Sequence, residues 1–356
     1  MRKAAIASGV IGLILLIAAG LLAWWITPSY IARLPSDFNK TRTYDGVIHS
    51  LFNPAALVTG NPAAAMRRNL PGSITQNVKA LQTSGNTALV QDSRTIRAGG
   101  SPVGTLVSRY AVDRQTLMAT RSHPSDWKVT PASGITFSWP LGAKKQNYTG
   151  WIPYTESTTT LRYVRETQQG GTTTYQYHVS VPPTEIKNPQ VLAALPKSLP
   201  TSLLRSLRAA GLVTPAQITS LSHAFPYATS IPLGYTYQAS NTYFVSPATG
   251  LVVNLVNNET QMGGVRLPTG MIVPLIPVLG YSYHMSPASM SQAVTDAKNG
   301  SSAITTWGVT VPIIAAALGF LLVVLAVLLW MRKRSRGKPV EREHGQRHPS
   351  PAGRAT

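Results

Sequence analysis

Histidine, serine and carboxylate side chains could perform acid–base or nucleophilic chemistry, so their spacing is the first evidence about function. The sequence has no Gly-x-Ser-x-Gly or His-Glu-x-x-His motif, and no glycine-rich phosphate loop ahead of a helix. Its central histidines are isolated and lack metal-ligand spacing: His49, His123, His178, His223 and His284. We therefore expect no enzyme activity, no metal and no other cofactor.

Charge and cysteine content exclude further classes of site. The 356 residues include 32 Lys and Arg against 12 Asp and Glu, a formal net charge of +20, and no cysteine. The carboxylates are scattered and form no pair of the kind that cleaves glycans. Without cysteine there is no disulfide scaffold and no thiolate chemistry. The positive excess could attract anionic lipids or polyanionic wall polymers, or merely keep the chain soluble, and we expect no nucleic-acid partner.

One apolar segment is the remaining candidate for a site. Residues 270–280 are apolar on both faces and contain Pro274 and Pro277, which argue against a central strand. The segment is either an extended core element or the wall of an apolar ligand cavity. The predicted lining residues are Met271, Ile272, Val273, Leu275, Ile276, Val278 and Leu279, with the aromatic side chains of Tyr235, Tyr237 and Phe244.

Two uncharged stretches are long enough to cross a membrane, which takes about 20 apolar residues. The second runs from Trp307 to Trp330, and a basic run follows it: Arg332, Lys333, Arg334, Arg336 and Lys338. Interfacial tryptophans and a basic flank are typical of a transmembrane helix with a cytoplasmic end. The first stretch, residues 4–26, exceeds a signal-peptide core and has no good cleavage site, which favours an uncleaved anchor.

These stretches predict five regions. Residues 1–3 form a cytoplasmic N-terminus, 4–26 and 307–330 are transmembrane helices, 27–306 form an extracytoplasmic β-rich domain, and 331–356 form a basic, disordered cytoplasmic tail. The protein is then a two-pass protein of the cytoplasmic membrane with both termini inside. Small residues one turn apart (Ser8 and Gly12, Ala315 and Gly319) permit close packing of the helices, within one chain or in a homo-oligomer.

The domain between the helices has the alternating, Thr- and Tyr-rich pattern of β-strands. The pattern predicts hairpins at 158–181 around Gly170-Gly171, at 235–245 around residues 239–241, and at 243–255 around residues 247–250. It also predicts a strand at 134–139. The fold class is mainly β with some α, a sandwich or a half-barrel, flanked by the two transmembrane helices.

One stretch breaks the β pattern. Residues 201–212 place leucines on one helical stripe, and Thr214-Pro215 cap a second helix over 216–224. We expect a short helical hairpin that packs on the sheet as a core element or acts as an amphipathic lid. A last helix, starting at Ser286-Pro287, leads into the second anchor.

Several motifs resemble those of the actinobacterial porin A-type family of cell-envelope proteins. They are residues 113–116 (DRQT), 134–140 (GITFSWP), 144–148, 175–181 and 242–250 (TYFVSPATG). The resemblance extends over nearly all of the chain between the anchors and implies an envelope location. The family label implies a pore, but a closed barrel pore would cross with strands, whereas this chain crosses with helices.

Three functions remain open from the sequence. The first is a non-enzymatic envelope protein whose exterior domain binds or transfers a hydrophobic or lipid component. The second is a scaffold that binds a protein partner or, through its basic tail, anionic lipid. The third is a subunit of a pore.

Overall fold

A computed structural model describes residues 2–335. The chain divides into two compact units, one formed by Pro28–Thr305 and the other by the terminal segments Met1–Thr27 and Thr306–Thr356. The positions predicted for the disordered tail from residue 336 onward, Arg336 and Lys338 included, lie outside the described residues.

Strands dominate the larger unit, where the alternating segments of the sequence lie. They are β1 Asn39–Phe52, β2 Met66–Arg67, β3 Leu70–Ser84, β4 Thr87–Ala98, β5 Ser101–Asp113, β6 Tyr148–Ile152, β7 Ser157–Gln169, β8 Thr172–Glu185, β9 Ser198–Pro200, β10 Ser230–Val245, β11 Val252–Arg266 and β12 Ile272–Met285.

The strands form one curled antiparallel sheet, so the half-barrel form of the predicted fold is confirmed. Its order is β5-β4-β3-β1-β12-β11-β10-β8-β7-β6, with β2 paired to β1 and β9 paired to β10. Beyond β5, residues 118–119 pair with Val112 and with Ile135, and Ile135 pairs with Gly150 of β6. The two edge strands are therefore linked through these segments, which covers backbone groups that an open sheet edge would expose.

Period-two alternation gives the sheet a concave inner face. Away from its centre this inner face is apolar, with Ile74, Val90 and Ile96 buried on β3 and β4. In the middle of β4 and β11, however, the inward positions are polar: Asp92, Arg94, Asn257, Glu259 and Gln261. The sequence thus forms a half-barrel with a polar belt inside an otherwise apolar core.

Two strand predictions were wrong. Residues 235–245 do not form a hairpin, because β10 runs unbroken through residues 239–241 with β8 and β11 hydrogen-bonded on either side. Residues 134–139 form isolated bridges at Ile135 rather than a strand.

Pro274 and Pro277, which argue against a central strand, lie in a part of β12 that is paired on one side only. β12 lies between β1 and β11, but β1 pairs only with residues 279–285. Pro274 and Pro277 fall in the part of β12 that pairs with β11 alone, where the register shifts twice. Proline has no amide hydrogen to donate to a neighbouring strand. It is tolerated there because one side of β12 has no hydrogen-bonded neighbour.

The α-helices within residues 2–335 are α1 Arg2–Leu21, α2 Pro54–Val58, α3 Pro189–Ala193, α4 Leu204–Ala209, α5 Pro215–Ala224, α6 Pro287–Thr305 and α7 Val311–Ser335, of which α1 and α7 belong to the terminal unit. The short helices α2 to α5 belong to the larger unit. The predicted helical hairpin is α4 and α5. Thr214 is the N-cap of α5, as predicted, and with Gln217 it forms a full capping box. Leu204 and Leu207 are buried against Leu57 of α2.

The terminal helices pack on each other at glycine. A Cβ on Gly12 would lie 2.7 Å from the carbonyl oxygen of Gly319, so only glycine permits this approach. Within residues 2–335, two helices are long and apolar enough to cross a membrane, Ile6–Thr27 and Pro287–Arg332, with a mean hydropathy of 2.6 and 3.0 over an 18-residue stretch of each. Arg332, Lys333 and Arg334 lie near the end of α7.

Candidate functional site

A cavity of about 440 Å³ lies between the concave sheet and the short helices. Leucine, valine and isoleucine side chains make most of its wall. They come from the sheet (Leu51, Ile96, Val103, Leu106, Leu199, Leu233, Leu275, Ile276, Val278 and Leu279) and from the covering helices and loops (Leu57, Val58, Val191, Leu195, Leu203, Leu207 and Val213). This size and composition are those of a site for an apolar small molecule.

The structure brings half of the predicted lining residues to this cavity: Leu275, Ile276, Val278, Leu279 and Tyr235. The other five lie elsewhere. Met271 and Val273 are exposed, Ile272 packs beside Gly234, and Phe244 packs against another part of the core. Tyr237 lines a second, smaller cavity. The segment after residue 274 therefore forms cavity wall, whereas its start does not.

Few polar groups reach the apolar cavity, and the side chains of Gln190 and Tyr235 among them are hydrogen-bonded. The side chain of Gln190 is bound to β5, accepting from the amide of Val107 and donating to its carbonyl. The Tyr235 hydroxyl donates to the carbonyl of Pro196 at 2.6 Å, and burial raises the pKa of Tyr235 to about 12. At neutral pH this phenol stays protonated and donates.

Arg94 is the charged residue of the wall, and it belongs to the polar belt. Its Nη1 lies 3.6 Å from Oε1 of Glu259 and 3.4 Å from the hydroxyl of Tyr283. Glu259 is 1% exposed. Its two oxygens accept from Tyr281 at 2.7 Å and Tyr283 at 2.8 Å, and Asn257 donates to Oε1 at 2.9 Å. The carboxylate is thus buried but fully paired.

The second carboxylate of the belt is Asp92. Gln76 donates to both of its oxygens, at 2.9 and 3.0 Å, and Gln76 accepts from the hydroxyl of Tyr44 at 3.0 Å. Burial raises the pKa of Asp92 despite the opposing effects of Arg94 and Gln76.

The belt tyrosines remain hydrogen-bond donors over the whole physiological range. Burial, and after it the charge of Glu259, raises the pKa of Tyr281 well above its ordinary value. Burial also raises the pKa of Tyr283, although Arg94 opposes it.

A second cavity of about 140 Å³ lies on the other side of the belt. Aromatic and polar side chains line it, among them Trp139, Trp151, Tyr237, Asn241, Asp92 and Glu259. Arg94 and Tyr154 line both cavities. No three His, Asp or Glu side chains within residues 2–335 come together as a metal site.

The alternation of the strands, rather than any motif, contained a signal for the polar belt. Every second residue of a strand lies on the same face, so Asp92 and Arg94 share a face with the buried Val90 and Ile96, and Glu259 shares one with the buried Leu255. Charges at inward positions of an alternating strand mark a buried polar group.

The features described so far define a class: a half-barrel β domain between two helices that are able to cross a membrane. A family model described as Porin PorA matches residues 4–328, and this chain belongs to that family. A protein named Porin PorA from Corynebacterium resistens is 22% identical over 402 aligned residues, covering 90% of this chain and 96% of the relative. The resemblance inferred from the motifs is confirmed.

Solved structures add little. A hot dog-fold protein of unknown function from Alicyclobacillus acidocaldarius is 12% identical, with 71% of this chain and 81% of that chain covered and a TM-score of 0.12. A protein described as a MaoC domain dehydratase from Chloroflexus aurantiacus is also 12% identical, covering 76% and 80%, with a TM-score of 0.12. At such TM-scores neither structure informs the fold or the function.

Proposed function

We propose that the domain formed by residues 28–305 binds a hydrophobic component of the cell envelope in the cavity of about 440 Å³ and does so without catalysis. The observation that carries this proposal is the cavity wall. Leucine, isoleucine and valine side chains from both the sheet and the covering helices face one space. An acyl chain bound there is removed from water, which stabilises the complex by roughly 25 cal/mol for each Å² of apolar surface buried.

The covering helices support a binding role. Leu203, Leu207 and Val213 of the helical hairpin line the cavity, and Leu57 and Val58 of α2 line it beside them. Val58 is 73% exposed, so the cavity wall continues to the protein surface at this helix. An apolar ligand can enter there without crossing the polar belt.

The proposed location follows from the two helices. We place them in the cytoplasmic membrane, with both termini inside and the β domain outside. The basic run after Trp330 supports this orientation, because Lys and Arg concentrate on the cytoplasmic side of transmembrane helices. A binding domain held there would act at the membrane surface, close to envelope lipids.

The full-length protein, purified in detergent, tests the proposal. Native mass spectrometry should show bound species in the hydrophobic lipid range, and extraction should release them. A preparation that is empty and that also fails to take up an added fatty acid would contradict the proposal.

The family name favours a second candidate, a subunit of a pore. The relative is named a porin, and α1 and α7 pack closely enough at Gly12 and Gly319 to serve as an assembly unit. Discrete conductance steps in planar bilayers would support this function. A scaffold that binds a partner through its basic tail is the third candidate. Loss of function on deletion of residues 336–356, with lipid uptake unchanged, would favour it.

A further inference from the structure

Unpartnered polar atoms concentrate at the second cavity. Within residues 2–335, six buried side-chain atoms have no hydrogen-bond partner, and four of them belong to residues that line this cavity. They are Thr136 Oγ1, Trp139 Nε1, Trp151 Nε1 and Asn241 Oδ1. Trp139 is 2% exposed and Asn241 is 4% exposed.

Such atoms are uncommon in folded proteins. More than about 90% of buried polar groups have a partner, and leaving one without a partner costs about 1–3 kcal/mol. Four around one space of about 140 Å³ point to a bound molecule that supplies the missing hydrogen bonds.

The kinds of atom specify the molecule. The two indole N–H groups donate, Asn241 Oδ1 accepts, and the Thr136 hydroxyl can do either. A ligand that satisfies all four must both donate and accept, as hydroxyl groups do. At about 140 Å³ the cavity has only about five times the ~30 Å³ that one water molecule occupies, which limits the ligand to a compact group no larger than one sugar ring.

Charge and aromatic surface favour the same ligand. Arg94 faces the carboxylates of Asp92 and Glu259, and the two other basic residues of the wall, Lys40 and Arg42, are paired with Asp296. The wall therefore carries no large unpaired charge, which suits a neutral molecule better than a phosphate or a metal ion. Trp139 and Tyr243, with ring centroids 5.1 Å apart, offer aromatic surface for the C–H face of a sugar.

We propose that the second cavity binds the single-sugar headgroup of a lipid whose apolar chain lies in the larger cavity. This inference rests on the proposed function and narrows its ligand to a glycolipid. Arg94 and Tyr154 line both cavities, which places the headgroup site beside the chain site.

Calorimetric titration of the full-length protein in phosphatidylcholine nanodiscs, with empty nanodiscs subtracted, tests the inference. The probes are octyl glucoside below its micelle concentration, octanol and methyl glucoside. Octyl glucoside should bind at least fivefold more tightly than octanol, since several hydrogen bonds form only with the sugar. Methyl glucoside should bind far more weakly than octyl glucoside, because it lacks the chain.

Two conservative variants locate the effect. Trp139→Phe keeps an aromatic ring but removes the indole N–H, and Thr136→Val keeps the shape but removes the hydroxyl. Each should reduce octyl glucoside affinity severalfold and leave octanol affinity unchanged. Trp127→Phe is the control, since Trp127 is also buried but packs in a different cluster, with Leu89 and Ala111.

The outcomes separate the two proposals. If octanol binds but the glucoside binds no more tightly, the second cavity holds only water, and the sugar inference is wrong while the proposed function stands. If neither binds, the proposed function is wrong as well. If methyl glucoside binds as tightly as octyl glucoside, the site serves a free sugar, which contradicts the glycolipid assignment.

Discussion

The hydroxyl of Tyr281 on β12 donates to Oε2 of Glu259 on β11 at a distance of 2.7 Å, inside the half-barrel. The two residues are register partners on neighbouring strands, so their side chains lie on the same face. With Tyr283, Asn257 and Arg94 they make the polar belt where the apolar cavity and the aromatic one adjoin, and Arg94 lines both.

Removing the charge of Glu259 should destabilise the β domain. In Glu259→Gln, an amide NH₂ replaces a carboxylate oxygen that accepts a hydrogen bond in the wild type, and Arg94 loses one of the two carboxylates that it faces. We expect a loss of about 3–5 kcal/mol in the free energy of unfolding, measured by urea denaturation. Glu166→Gln is the matched control, because Glu166 pairs with Lys145 at the surface and is 46% exposed. It should cost less than about 1 kcal/mol, and equal losses would contradict a structural role for the belt.

Stability should also depend on Asp296, which holds α6 against β1. Its oxygens lie 2.9 Å from Lys40 Nζ and 2.5 Å from Arg42 Nη2. Partial burial alone would raise the pKa of Asp296, but the hydrogen bonds from Lys40 and Arg42 outweigh it and hold the pKa below its ordinary value.

The sign of the pH effect follows from linkage. A carboxyl with a lowered folded-state pKa stabilises the fold fully above its unfolded pKa of about 3.9, and this contribution is lost as pH falls through the folded pKa. Asp296→Asn should lower the free energy of unfolding by about 1–3 kcal/mol at pH 7 and by much less near pH 2. Thermal unfolding of the wild type and the variant at several pH values measures this loss. A loss that does not change with pH would contradict a stabilising role for the Asp296 carboxylate.

Close packing of the terminal helices can be tested because the chain has no cysteine. A Cβ on Gly9 would lie 3.4 Å from Cβ of Ala326, near the range of a disulfide. The double variant Gly9→Cys with Ala326→Cys should therefore cross-link within one chain on mild oxidation. Gly20→Cys with Ala326→Cys is the control, because Gly20 has no neighbouring atom within 4 Å of its Cβ position. Adding Gly12→Leu should abolish the cross-link, and its persistence would contradict packing at Gly12.

The orientation across the membrane should be visible by cysteine labelling of intact cells. Tyr227 is 97% exposed in the β domain, so Tyr227→Cys should react with a membrane-impermeant maleimide. Ala355→Cys, in the basic tail, should react only after the cells are opened. The reverse pattern would place the β domain in the cytoplasm and remove the basis for an envelope ligand.

Local signals predicted part of this fold. The β7–β8 hairpin was predicted because Gly170 and Gly171 supply the positive φ of its turn, 54° and 70° in the structure. The N-cap at Thr214 was predicted for the same reason, since it depends on a few adjacent residues. The error at residues 239–241 arose because turn-type residues there are held in β10 by two neighbouring strands, which a local pattern does not reveal.

The candidate site was predictable only where it is apolar. Residues 275–279 stood out as a hydrophobic run, but the covering helix α2 and the segment at residues 194–200 carried no signal that they would face the cavity. The belt depends on contacts between positions as distant as Arg94 and Glu259. Strand parity could have shown that both side chains point inward, but not that they would meet.

Photo-cross-linking of a diazirine-bearing fatty acid to the full-length protein tests the central proposal most directly. Gly104 lines the apolar cavity, and the nearest atom to a Cβ there is Ile96 Cδ1 at 3.9 Å, so the position accepts a side chain and Gly104→Phe should occupy part of the cavity. Val256→Phe, at a site 48% exposed, is the control. We expect peptides from residues 190–213 and 272–285 to be labelled in the wild type and the control but not in Gly104→Phe. Equal labelling of all three proteins, or labelling confined to the terminal helices, would contradict binding in this cavity.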